Sequence, residues 1–397
     1  MPPQNLRTPG PTPLPDPIRE AGSRQMINHR GPEFKELLGR VSESMRPAFG
    51  TRNEVLILTS SGTGALEAAV VTFLSPGDPV LAVSIGNFGE RFAAIATTYG
   101  ADVTRLDVEW GRAATADEVT DAIAGLAESG RPPRAVLLTF NETSTGVTNP
   151  VREITHAIRS VAPEALVIVD GISAIGALPF EMDAWGIDVT VTGSQKAWMI
   201  PPGLAMAAAS DRAWSAAESA TMPRFYFDLV RHRDALAKGE TPWTPAVGLV
   251  FQLETALSLM AAEGLEGIYA RHAACGAAAR AGLLAMGFGL FADQAHASDS
   301  VTSALVPDSV EWAALNSELR GRNLVLAGGQ GKLKGRIFRI GHLGDVSVGD
   351  IVRALEILEE GAAAVGVPVE RGVGPAAARR APAEQPLSSV EPVASRA

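Results

Sequence analysis

IVDGISAIGALPFEMDAWGIDVTVTGSQKAWMIPPGL, residues 168–204, decides how this chain folds. The runs ALVIVDG (165–171) and DVTVTGS (188–194) read as strands buried on both faces, because apolar runs this continuous leave no solvent side. Asp170 stands at the carboxyl end of the first, and Lys196 follows the second after a Gly-Ser turn. In an open α/β sheet those ends are where ligands bind. A lone lysine there is usually a solvated surface group, and a lone aspartate is as often a helix cap. Lys196, however, has Ser194 and Gln195 directly before it and the Pro201-Pro202-Gly203 turn after it. A lysine enclosed in this way has a depressed pKa and can act as nucleophile and then as general base.

Working outward, VLILTS (55–60), VLAVS (80–84), ADVTRLDV (101–108) and AVLLTF (135–140) predict further strands. Helices are predicted over 64–74, 90–100, 116–128 and 151–161. Strand-helix alternation means a mostly parallel sheet with right-handed crossovers. After Lys196 the pattern changes to a helix-rich stretch from about 208 to 285. A strand over 300–307, a helix over 309–320, a strand over 336–343 and a helix over 348–365 then predict a small α+β domain. From Arg371 the chain is rich in Ala, Pro and Arg without periodicity and reads as a disordered tail.

The 397 residues suffice for a large and a small domain, each with its own core. A formal charge of -10 argues against a general nucleic-acid binder, while a local cluster of Arg and backbone amides can still hold a small anion. Cys275 is the single cysteine, so no internal disulfide forms, which fits a reducing, cytoplasmic setting. It lies in the alanine-rich run RHAACGAAARAG (271–282) and reads as packed. The proline-rich start, MPPQNLRTPGPTPLPDP, is no secretory signal, and no run is long enough for a membrane span. No metal is expected.

Two segments carry chemistry besides Lys196. SSGTGALEA (60–68) joins a strand to a helix, so backbone amides gather at a helix N-terminus and form an anion site. Gly62 and Gly64 let the backbone approach a phosphate, although the stretch is neither a P-loop nor a GxGxxG fingerprint. Asp170 can hold a pyridine nitrogen protonated, which makes a pyridoxal phosphate (PLP) ring an electron sink for a carbanion at a substrate Cα.

Together SSGTGALEA, NHRGPEF (28–34), FNETSTGVTNP (140–150), VDGISAIGALPFEMDAWGIDV (169–189), TGSQKAWMIPPGL (192–204) and RIFRIGHLGDV (336–346) resemble the class V aminotransferases of PLP fold type I. Within that family the likeness points to the serine–glyoxylate and alanine–glyoxylate group, and it covers about residues 7–370. It implies an α/β fold: a large domain with a mostly parallel seven-stranded sheet, plus a smaller C-terminal α+β domain. The implied division is an N-terminal arm over 1–22, the PLP-binding domain over 23–280, the small domain over 281–370 and the tail over 371–397. The stretch Pro9 to Pro11 then lies over the site as an entry loop.

Matched by motif, the resemblance implies that Lys196 forms the Schiff base and Asp170 pairs with the pyridinium nitrogen. Phe88, in SIGNFGER, stacks on the ring, Ile172 packs on its other face, and Thr143 bonds the phenolic oxygen. Ser61, Gly62, Thr63 and Gln195 contact the phosphate. Thr244, in ETPWTP, contacts it from the partner subunit of a homodimer. Some relatives also place a tyrosine there; the residues at hand are Thr241 and Trp243. Arg339 clamps the substrate α-carboxylate, for which a rigid guanidinium fork suits better than lysine. His29 and Arg30 read the substrate side chain across the dimer interface, with His29 departing from the usual Tyr-Arg pair.

The activity implied is a ping-pong transfer of an amino group from serine or alanine to glyoxylate or a similar 2-oxo acid. Rival readings are another class V enzyme, namely an aminotransferase for aspartate, phosphoserine or ureidoglycine, a β-lyase or a desulfurase, and a non-catalytic scaffold on the same fold.

Overall fold

Seven strands pair into one sheet in the computed structural model, which describes residues 4–384. In chain order they are β1 (Val55–Ser60), β2 (Pro79–Ser84), β3 (Asp102–Asp107), β4 (Ala135–Thr139), β5 (Leu166–Asp170), β6 (Val189–Gly193) and β7 (Gly203–Ala209). Their spatial order is β1-β7-β6-β5-β4-β2-β3. Six run parallel; β7 is antiparallel to both its neighbours, with Gly203 opposite Ser60 and Ala205 opposite Gly193. Alternate residues feed two cores. Val55, Ile57, Leu81, Val83, Val167 and Val169 point to one, while Leu56, Leu58, Val80, Ala82 and Ile168 point to the other. Burial on both faces explains why these strands read as continuous apolar runs.

Strand β7 was not foreseen from the sequence. GLAMAAA (203–209) runs into the stretch read as helix-rich, and alanine is the strongest helix former. Its place between two strands overrides that preference, because both ladders need their N–H and C=O partners. The helix Pro32–Phe49 also lay outside the sequence reading; it buries Phe34, Leu37, Leu38 and Val41 against the sheet.

The smaller sheet is antiparallel and consists of β8 (Val301–Leu305), β9 (Ala327–Gly328) and β10 (Ile337–Gly341), with β10 in the centre. Its core includes Phe338, Ile340, Leu315, Leu355 and Leu358, and it also takes Cys275, Ala278 and Ala279 from the long helix Leu265–Ala285. The division expected at residue 280 therefore falls inside a helix whose second half already packs with the smaller sheet. At the N-terminus, Asn5–Leu6 pairs in parallel with Leu324–Val325, and the Gly341 amide donates to the Arg7 carbonyl at 2.7 Å. No helix among the described residues is long and apolar enough to cross a membrane.

The expected disordered tail is corrected over its first part, since Val373–Glu384 is a helix. Alanine-rich composition reads as low complexity, but Ala378 is fully buried beside Cys275 and Leu283. The Glu359 carboxylate accepts from the Gly372 and Gly374 amides, both at 2.8 Å, and so anchors the start of this helix. Residues 1–3 of the expected arm and 385–397 of the expected tail lie outside the described residues. The packing is close: a Cβ on Gly282 would collide with Leu355 and sit 3.1 Å from the Gly374 carbonyl. Gly282→Leu should therefore destabilise the fold by about 1–3 kcal/mol, read as a lower denaturant midpoint at unchanged m-value.

Candidate active site

Parallel strands deliver their last residues to one edge of the sheet, and there a cavity of about 220 Å³ opens. Ser61, Gly62 and Thr63 reach it from β1, Phe88 and Arg91 from the helix after β2, and Asn141 and Thr143 from the loop after β4. Asp170, Ile172 and Ser173 follow β5, and Gln195 and Lys196 follow β6. Gln330 comes from the smaller sheet. Nine of the residues singled out from the sequence thus line one cavity.

Strands β5 and β6 are neighbours with Asp170 opposite Val191, so the acid and the lysine belong to adjacent strand ends. Asp170 Oδ1 accepts from the Ile172 amide at 2.9 Å. Burial pushes its carboxyl up to about 7, against that hydrogen bond. Lys196 Nζ donates to the Pro9 carbonyl at 2.8 Å. Burial, assisted by the Arg339 charge, brings its amine down to about 8. The expected entry loop is in place: Thr12 donates through its amide to the Gln195 carbonyl and through its hydroxyl to the Lys196 carbonyl. A Cβ at Gly10 would stand 2.8 Å from Lys196 Nζ, so glycine is required where the arm crosses the lysine.

The helix Gly62–Phe73 starts at Ser61, which takes the N-cap position without using its side chain as a cap. Its hydroxyl and the first-turn amides are left for an anion. The glycines answer a packing demand besides the one read from sequence. A Cβ on Gly62 would lie 2.6 Å from Ile172 Cδ1, and one on Gly64 would collide with Ser60 Oγ. Beside this cradle, Gln195 Oε1 is buried with no hydrogen-bond partner. An orphaned amide, an uncapped helix start, a buried acid and a lysine of lowered pKa fit a phosphorylated pyridine aldehyde.

Several residues here escaped sequence reasoning. Glu142 is fully buried and accepts from the amides of Phe88 (2.9 Å), Gly89 (3.1 Å) and Ser144 (3.1 Å) and from the Ser144 hydroxyl (2.6 Å). Burial pushes its carboxyl up, against these bonds, and it fixes the turn that presents Phe88. Arg91 lies over the Phe88 ring at 4.8 Å and reaches Thr63 Oγ1 at 3.4 Å. Asn141 bonds Ser173 and Ser300, tying the cavity to the smaller sheet. A polar residue inside a motif was the only available signal for Glu142; nothing in its spacing marked Gln330.

Arg339 sits on the central strand β10 and is 5% exposed, so its guanidinium is enclosed by protein. Burial lowers its pKa to about 10. Its Nε and Nη2 donate to the Gly328 carbonyl and its Nη1 to the Thr143 carbonyl, and no carboxylate among the described residues pairs with it. Three of five donors are used, so one N–H remains on each terminal nitrogen, the two nitrogens that grip a carboxylate end-on.

Four expected site residues do not line this cavity: Arg339, which touches it through the Thr143 carbonyl, and Thr244, His29 and Arg30, which lie elsewhere. Arg30 donates to Glu240 and to the Thr241 carbonyl, both at 2.8 Å, which brings His29 and Arg30 beside the segment holding Thr244. Thr244 lines a separate groove with Thr59, Tyr226 and Trp243. The Thr241 hydroxyl is spent on the Trp243 carbonyl, and the Trp243 indole on the Tyr226 carbonyl. Tyr226, which the sequence reading passed over, brings a tyrosine to that groove, stacked on Trp243 at 5.7 Å. Cys275 is buried, and burial pushes its thiol up to about 12, the opposite of a reactive thiolate.

Known proteins resemble this chain in sequence and fold. The family model described as Aminotransferase class-V matches residues 18–334. The soluble hydrogenase small subunit of Synechococcus sp. (strain PCC 6716) is 42% identical, covering 94% of this chain and 97% of that protein. The serine–glyoxylate aminotransferase of Methylorubrum extorquens is 36% identical, covering 97% of each. The crystal structure of a subgroup IV aspartate aminotransferase from Thermus thermophilus superposes with a TM-score of 0.84 at 32% identity, covering 91% of this chain and 99% of that one. The fold is that of the PLP-dependent aminotransferases, and the chain belongs to the pyridoxal-phosphate-dependent class V aminotransferases.

Proposed function

We propose that this enzyme moves the amino group of a small L-amino acid, serine or alanine, to glyoxylate or a similar 2-oxo acid in a ping-pong cycle. The observation that carries the reading is one cavity holding Lys196 beside Asp170, with the two spare donors of Arg339 behind it. Bound pyridoxal phosphate supplies the electron sink for charge left on the substrate Cα. The protein's part is to hold, orient and move protons. Ser61, Gly62, Thr63 and Gln195 hold the phosphate; Phe88 and Ile172 pack on the ring; the Thr143 hydroxyl bonds the phenolic oxygen. Asp170 keeps the ring nitrogen protonated. Arg339 fixes the α-carboxylate, and Lys196 Nζ takes the Cα proton once a substrate amine has displaced it.

Thr244, His29 and Arg30 complete the site of a partner subunit in this reading. Their shared location away from their own chain's cavity supports it, as do the exposed Met26, Phe225 and Tyr226. A buried single cysteine suits a reducing, cytoplasmic setting. Aspartate as donor is the second reading, favoured by the likeness to the Thermus thermophilus enzyme. A desulfurase is disfavoured by the buried Cys275. The hydrogenase name of one relative has no counterpart in a donor set: among the described residues, no three His, Cys, Asp or Glu side chains are grouped to hold a metal.

Two measurements test the assignment. Mixed with L-serine or L-alanine alone, the PLP-loaded enzyme should move its absorbance from about 420 nm to about 330 nm in a single turnover and then stop. Continuous pyruvate release would instead mark a lyase, and Lys196→Ala protein that still turns over repeatedly would remove the lysine from the mechanism. The second test is loading. The free amine is the reactive form, and its fraction rises with pH through the Lys196 value of about 8. The rate of cofactor uptake should therefore climb about tenfold between about pH 7 and pH 9 and then level off, whereas the climb of about a hundredfold that an unshifted lysine gives would contradict the lowered lysine pKa.

A further inference from the structure

Two amides line the cavity with buried acceptors that no described residue satisfies, Gln195 Oε1 and Gln330 Oε1. They stand on different walls. Gln195 is next to the phosphate cradle, because a Cβ on the nearby Gly193 would lie 3.3 Å from Gln195 Oε1 and 3.4 Å from the Gly62 amide nitrogen. Gln330 belongs to the turn Gly328-Gly329-Gln330-Gly331 of the smaller sheet. That turn is held from both sides. Gly328 gives its carbonyl to the Arg339 guanidinium at 2.8 and 3.0 Å. Gly331 packs so that a Cβ would stand 3.1 Å from Trp110 and 3.5 Å from Asn87 Oδ1, next to the ring-facing Phe88. A Cβ at Gly329 would collide with the Leu333 carbonyl. Close packing at all three glycines leaves one side chain to project, and it is polar.

We infer that Gln330 reads the side chain of the amino donor, its carboxamide bonding a hydroxyl or carboxylate carried on the substrate Cβ. The inference rests on the aminotransferase reading above and narrows its donor class: a polar β-substituent is preferred over the methyl of alanine. The location fits, because Gln330 is anchored through Gly328 to the residue assigned to the α-carboxylate. A group one carbon from Cα then meets the same wall. The chemistry fits as well. An amide presents both an acceptor and donors, so it serves a hydroxyl or a carboxylate, whereas a methyl leaves it buried and unpaired. Sites built to hydrogen-bond a substrate group discriminate strongly against the analogue lacking it.

The test uses the PLP-loaded full chain and the single-turnover absorbance change with L-serine, L-aspartate and L-alanine. In Gln330→Leu, the preference for serine over alanine in the rate per concentration should fall about tenfold or more, while alanine itself changes little. Gln330→Met repeats the test with an unbranched side chain should the leucine variant fold poorly, and visible circular dichroism of the bound cofactor checks that the site is intact. Gln330→Glu separates the two polar donors. It still accepts from a hydroxyl but repels a carboxylate, so serine should survive it and aspartate should be lost. A folded Gln330→Leu or Gln330→Met protein with an unchanged serine-to-alanine ratio overturns the inference and leaves the aminotransferase assignment standing. Failure of every amino acid to give the absorbance change in the unaltered enzyme overturns the assignment instead.

Discussion

Everything at this site follows from placing an acid and an amine side by side where water is scarce. Adjacent parallel strands β5 and β6 end together, which puts Asp170 and Lys196 into one cavity without help from any long loop. Burial penalises both charges, moving the carboxyl up to about 7 and the amine down to about 8. Each group is thereby brought close to the pH at which it can exchange a proton. The strand register is thus a chemical setting as much as a structural one. A residue inserted before Lys196 would move the amine away from the acid as well as disturbing β6.

The lysine turn also joins the two sheets. Pro9 and Thr12 bond Lys196, Gln195 accepts from the Thr12 amide, and Arg7 bonds Gly341 at the end of β10 and pairs with Asp350 at 3.2 Å. The N-terminal arm therefore bridges the strand carrying Arg339 to the turn carrying Lys196. Asn141 makes a second bridge through Ser300, and Arg339 a third through the Thr143 carbonyl. Three separate connections hold the expected carboxylate clamp in register with the expected nucleophile. That is the preorganisation on which transfer between two small acids depends.

What the sequence disclosed, and what it hid, has physical causes. Six of the seven large-sheet strands were legible because burial on both faces forces uninterrupted apolar residues. β7 was hidden because GLAMAAA has the composition of a helix, and only its neighbours make it a strand. The helix Val373–Glu384 was hidden for the opposite reason: alanines that pack into a groove look the same as alanines that pack nowhere. At the site, Lys196 and Asp170 announced themselves as polar residues at apolar strand ends. Glu142 and Gln330 did not, since their meaning lies in who fails to bond them or who does. Glu142 is satisfied four times over, and Gln330 Oε1 not at all.

This contrast separates two kinds of information in the fold. Residues at strand ends determine the reaction, because the sheet dictates where they point. Residues that would choose the substrate sit on segments the sheet does not dictate: the arm, the glycine-framed turn and the surface holding Thr244. Likeness to enzymes named for serine and for aspartate is therefore expected and says little about the donor. The turn matters more. Arg339 and Gln330 are linked through a single carbonyl, that of Gly328. A shift that loosens the grip on a substrate carboxylate also displaces the amide above its side chain. In the proposed reading, carboxylate and side chain are recognised as one linked unit, and an amino acid that satisfies both halves is preferred over one that satisfies only the carboxylate.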